Sequence, residues 1–185
     1  MRVWLFAALG ALLAIVAVVS LGFYGGFYNV AANVPHTGWV YSLLQTVRDR
    51  SIAAHAASVN IPANLNDPKR ITSGAGQYAE MCSSCHLAPG MSRTEISRGL
   101  YPRAPELRRG SRSTAAEDFW VVKNGIKMTG MPAWGVTHDD EILWDVVAFL
   151  RKLPELTADQ YQALVRSAPK THDAMMEKSN TDHRP

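Results

Sequence analysis

Apolar and polar positions divide this chain into two unlike stretches. From Trp4 to Tyr28 almost every position is apolar. As a helix, such a run of about 25 residues reaches roughly 37 Å at ~1.5 Å per residue, enough to cross a hydrocarbon core of about 30 Å. Phe23, Tyr24, Phe27 and Tyr28 cluster at its far end and Trp4 stands at its near end, as suits amphipathic rings at the two faces of a bilayer. Arg2 is the only charge before the run, which favours a cytoplasmic N-terminus. The run reads as an uncleaved anchor, being longer than a usual signal core and lacking a small-x-small site before the aromatic cluster. A cleaved signal peptide is the alternative. Either one exports the chain beyond about residue 30.

Further along, the pattern turns amphipathic. Val40, Leu43, Leu44 and Val47 follow the i, i+3, i+4, i+7 rule of one helix face. A helix there could lie on a membrane, pack on a neighbouring domain or dock a partner subunit; the reading taken is that it covers part of its own domain. Asp67-Pro68 is an N-cap followed by proline at the first helical position, opening a helix whose buried face carries Ile71, Gly74, Tyr78 and Cys82. Thr114-x-x-Glu117 is a capping box before Phe119, Trp120 and Val122, with a stop at Gly125. Thr137-x-x-Asp140 marks another start, with acids in the first turn, Arg151 and Lys152 in the last, and Pro154 as terminator. Thr157-x-x-Gln160, with Leu156 and Tyr161 as a hydrophobic staple, opens a short final helix. No stretch keeps a strand period for long and no repeat is present, so the part beyond the anchor is expected to be all-α. The expected division is an anchor over 1–28, a connector with an amphipathic helix over 29–66, a compact domain over 67–155, and a short helix with a loose tail over 156–185.

Composition sharpens this picture only in places. With 185 residues, 47% apolar and 19% charged, the chain is neither a disordered tail, a collagen-like repeat nor a polytopic membrane protein. The net charge of +3 averages over a chargeless stretch from Val3 to Val47 and a basic one between Leu87 and Arg112, where Arg93, Arg98, Arg103, Arg108, Arg109 and Arg112 face only Glu95 and Glu106. That basic stretch is either a solvated face or a patch that steers an acidic partner. Nucleic acid is not an expected partner for an exported chain of ordinary overall charge. His36 and His55 are read as solvated rather than as ligands.

The chemistry concentrates in Cys82-Ser83-Ser84-Cys85-His86. These are the chain's two cysteines, too close together to gain much as a disulfide staple. A structural zinc site needs two further ligands at zinc spacing, and a redox dithiol of the thioredoxin kind needs a βαβ setting; the chain offers neither. C-x-x-C-H is the attachment signature of c-type haem. Two thiols on one turn of helix each add to a vinyl group, and the adjacent histidine binds the iron.

From about Pro68 to Leu153 the chain resembles a class I cytochrome c, most closely the single-haem bacterial domains of the cbb3-oxidase subunit III type. Gly74-x-x-x-Tyr78-x-x-x-Cys82 resembles that family's first helix, in which the glycine admits a close crossing, and Val147-Ala148-Phe149-Leu150 resembles its last. Asn124 to Gly135, containing Thr129-Gly130-Met131-Pro132, resembles the loop that delivers the sixth ligand. The resemblance implies an all-α fold around one covalent haem c, with iron ligands His86 and Met131. Met128 would then pack near the haem edge. It also implies that the Pro89 carbonyl accepts a hydrogen bond from His86, and that Tyr101 and Arg103 bind the propionates. Leu87 stands where the family commonly has glycine. Trp120, Trp134 and Trp144 are read as pocket and core aromatics.

The implied activity is single-electron transfer, not catalysis, by a single-pass protein of a bacterial inner membrane with its haem domain in the periplasm. Its partners would be redox proteins of a respiratory or dehydrogenase-linked chain. The alternative is a fixed relay subunit of a larger membrane oxidase or quinoprotein dehydrogenase. A gas sensor or peroxidase would need an open iron position, which two axial ligands deny.

Overall fold

The computed structural model describes residues 2–169. The expected loose tail beyond Pro169 lies outside the described residues. The chain forms two units, one ending at Pro35 and one beginning at His36. Among the described residues all regular structure is helical.

The first unit is built on α1, Arg2–Tyr24, long and apolar enough to cross a membrane and exposed along its length. It stops four residues short of the apolar run because Gly25 and Gly26 follow, Gly26 at a φ of 70° that side-chain-bearing residues disfavour. At 23 residues it still reaches roughly 34 Å.

In the second unit, α2 is Gly38–Ala56, α3 is Pro68–Met81, α4 is the single turn Ser83–His86, α5 is Glu95–Gly99, α6 is Ala115–Asn124, α7 is Asp140–Lys152 and α8 is Ala158–Ser167. The caps act as expected at three starts. Asp67 accepts the Lys69 N–H, while Thr114 with Glu117 and Thr157 with Gln160 form reciprocal capping boxes. The fourth start moves. α7 begins after Asp139, which makes no side-chain cap, because Thr137 closes a 3-10 turn over Trp134–Val136 and donates its backbone N–H to the Trp134 carbonyl.

α7 organises the core by using two faces. Val146, Phe149 and Leu153 join Tyr78, Cys82 and Tyr161 in one apolar cluster, whereas Leu143, Trp144 and Val147 join Phe119 and Val122 in another. Phe119 and Trp144 stack at 4.1 Å with 8° between their planes. Trp134 and Leu150 pack against both clusters. Where α3 crosses α7, a side chain on Gly74 would land on the Asp145 carbonyl and 2.9 Å from Cβ of Phe149. Arg70 of α3 ties the same crossing electrostatically, reaching Glu141 at 2.5 Å and Asp145 at 2.8 Å.

α2 does pack on its own domain, though with a different face from the one its pattern suggests. His55 lies against Trp120 with ring centroids 5.4 Å apart, and Ala56 is buried. Leu43, Leu44 and Val47 stay exposed, on a stripe rotated about 130° from the packed face at ~100° per residue.

Gly74→Ala is expected to cost at least about 1–3 kcal/mol, as overpacking does, because the obstacle is backbone. In thermal melts its midpoint should fall by several degrees, while Gly99→Ala, which meets no atom within 4 Å, should melt close to wild type.

Candidate functional site

The end of α3 and the turn of α4 bring the chemistry of the sequence motif onto one wall. The backbone N–H of Cys85 and of His86 both reach the Cys82 carbonyl, at 3.2 and 2.9 Å, so one helical turn presents Cys82, Cys85 and His86 to a common cavity of about 540 Å³. Both cysteines are free thiols. Burial, reinforced by the neighbouring Cys85, pushes the Cys82 thiol up to about 12. Burial also lowers the His86 pKa below its ordinary value, partly offset by a hydrogen bond to the Pro105 carbonyl at 2.9 Å. A carbonyl only accepts, so Nδ1 carries the proton and the neutral ring keeps a lone pair on Nε2 for a metal.

Pro105 therefore takes the place expected of Pro89. The reason lies in the turn after His86. Leu87 adopts φ 62°, ψ 165°, a region that costs a non-glycine residue about 1–3 kcal/mol. The turn sends Leu87 and Ala88 into the core, and Pro89 is not among the residues lining the cavity. Leu87 holds glycine-like geometry because its side chain is buried and its carbonyl accepts the buried Tyr78 hydroxyl.

Glu106, next to Pro105, fixes the loop that supplies this acceptor. It pairs with Arg109 at 2.9 Å, Arg108 at 3.1 Å and Arg93 at 3.4 Å, and Arg108 also donates to the Met91 carbonyl at 3.0 Å. Hydrogen bonding from Arg108, with help from Arg109 and Arg93, holds the Glu106 carboxyl below the usual carboxylate range. Half of the basic stretch is thus committed internally.

Met131 lines the cavity from the loop after α6 and packs against the cluster around Phe119 and Trp144. Its backbone is pinned. The Ile126 N–H donates to the Met131 carbonyl at 3.2 Å, and the Thr129 hydroxyl accepts the Met131 N–H at 3.1 Å while donating to the Ile126 carbonyl at 2.8 Å. Gly125 is required beneath this loop. Its φ is 64°, and a Cβ there would sit 2.7 Å from the Met131 carbonyl oxygen. Met128 does not pack as expected: the same tight turn places it at φ 57° with 96% of its surface exposed. Met81 lines the cavity too, but from the helix that carries Cys82.

Residues 69–150 match the family model described as cytochrome C oxidase, cbb3-type, subunit III. They are a cytochrome c domain. No curated protein and no solved structure matches the chain. A cytochrome c domain is an electron carrier, and its family implies a covalently attached haem c. The residues fit that group: two free thiols and a neutral imidazole from one helical turn, a thioether from the loop after α6, and apolar lining from Leu100, Val122, Trp134 and Leu150.

Around the cytochrome c domain's cavity, the other expectations divide. Arg103 lines it, whereas Tyr101 does not: the Tyr101 hydroxyl accepts the His36 N–H at 2.8 Å and its ring meets the His36 ring edge-on. His36 is thus a packing residue, whereas His55 touches Trp120 and remains exposed, as expected. Trp134 is a cavity aromatic, Trp144 a core one, and Trp120 lies under His55. Sequence reasoning missed Pro105, Glu106 and the α2 residues Arg48 and Ile52 on the cavity wall. A lone acid amid arginines was the available signal for Glu106.

Because the Glu106 pKa is depressed on folding, its contribution to stability is complete above its unfolded pKa of about 4.3 and is lost as pH falls through the lower folded value. Denaturant midpoints measured against pH should therefore fall on acidification through that window in wild type, and fall less steeply in Glu106→Gln.

Proposed function

We propose that the chain is a membrane-anchored, single-haem cytochrome c that carries electrons one at a time in a respiratory or dehydrogenase-linked chain on the periplasmic side of a bacterial inner membrane. The observation that carries this reading is that Cys82, Cys85 and His86, from one helical turn, and Met131, from the loop after α6, line one cavity. When bound, haem supplies the one-electron Fe(III)/Fe(II) couple. Cys82 and Cys85 would hold it covalently, and His86 through Nε2 and Met131 through its sulfur would bind its iron, a soft thioether favouring a raised potential. Pro105 orients the His86 ring, and the pinned 125–131 loop keeps the Met131 sulfur in place. With His86 and Met131 both bound to the iron, no coordination site would be left open to a substrate. α1 serves as the anchor, supported by its length and uninterrupted apolar surface.

The exposed Leu43, Leu44 and Val47 favour a second reading, in which the domain is a fixed relay within a larger membrane oxidase or dehydrogenase. Gentle detergent extraction distinguishes the two: a stoichiometric companion complex supports the relay, and a lone haem protein supports the free carrier.

Spectra of wild type and Met131→Ala test the ligand assignment. Wild type should resist carbon monoxide, and Met131→Ala should bind it readily with a lowered midpoint potential. Ready binding by wild type, unchanged in the variant, would remove Met131 from the site.

A further inference from the structure

The family match begins at residue 69, yet the cavity has a wall that comes from before it. α2 docks on α6 and places Arg48, Asp49 and Ile52 on the cavity lining. Arg48 is half-buried there, its Nε and Nη2 each 2.8 Å from Oδ1 of Asp49. Both contacts converge on one oxygen of a partly exposed neighbour, so the pair biases where the guanidinium lies at a modest energy.

Charged side chains cluster on that part of the cavity. Arg48, Arg103 and Arg112 all line it, and among the described residues neither Arg103 nor Arg112 has an acidic partner. Of the acids that share the lining, Asp49 pairs with Arg48, Glu117 accepts within the α6 capping box, and Asp118 holds the Ser113 hydroxyl and Arg151. Arg103 and Arg112 are thus left as cations without an acid of their own, beside an Arg48 held on the same lining, and a haem brings two carboxylates that need such partners when they leave water.

Resting on the haem reading above, we infer that α2 is an integral part of the haem site: Arg48 binds a haem propionate together with Arg103 and Arg112, Asp49 orients Arg48, and Ile52 closes the apolar wall. The stretch between anchor and cytochrome c domain is then a binding element and not a passive spacer.

Redox titration of the full-length, haem-loaded protein tests this with three variants. A cation beside the haem disfavours the more positive oxidised state, so Arg48→Gln should lower the midpoint potential. Arg48→Lys should stay close to wild type, and Asp49→Asn should lie at or above it. A helix that merely shields the haem would be loosened by either neutralisation, lowering both potentials together. Equal potentials in Arg48→Gln and wild type, or a fall in both Arg48→Gln and Asp49→Asn, would overturn the inference. Haem-stained gels keep the two readings apart, since a chain without covalent haem contradicts the cofactor assignment and not the role of α2.

Discussion

The structure turns on a cavity set into its apolar core. α7 supplies one face to the cluster of α3 and α8 and another to the cluster of α6, with Trp134 and Leu150 packed against both, and the cavity is lined by Cys82, Cys85, His86, Met131 and Trp134. A domain of this size has little core to spare. A large flat apolar group anchored at Cys82 and Cys85 would add apolar surface that the polypeptide alone does not supply. Gly74 serves this arrangement by letting α3 and α7 approach until backbone touches backbone, and Arg70 locks the crossing from outside.

Around the cavity, fixed backbone does the positioning. His86 is held through the Pro105 carbonyl, whose loop is gathered by Glu106 and three arginines. Met131 is held through Gly125, Ile126 and Thr129. In both cases a side chain proposed as an iron ligand is governed by a short turn rather than by helix packing, which is how a soft and weakly bound ligand such as thioether can be kept in one place. The strain at Leu87 belongs to the same design: it turns the chain into the core directly after His86, and the Tyr78 hydroxyl secures the turn.

What was legible in the sequence was local. The caps at Asp67, Thr114 and Thr157 act within four residues, so their sequence patterns carry the physics almost whole. Thr137 misled because a 3-10 turn, itself stabilised by the packing of Trp134, competes for the same backbone groups. The attachment motif was legible for the same reason of proximity. Non-local partners were not. Pro105 is nineteen residues from His86, and nothing in the chain near His86 distinguishes it from the closer Pro89. Tyr101 reaches back to His36, and α2 meets α6 through residues off its most regular apolar stripe. Met131 could be separated from Met128 only through resemblance, because the two differ by a turn whose geometry depends on Gly125 closing beneath it.

On the proposed function, the cofactor is a structural member of the fold as well as its redox centre. Circular dichroism melting of the full chain in detergent, comparing haem-loaded wild type with the Cys82→Ala, Cys85→Ala double variant, tests this most directly. The variant should retain little helix beyond α1 and show no cooperative melt. Native helix content with a cooperative transition in the haem-free variant would contradict the claim that the fold depends on what fills the cavity.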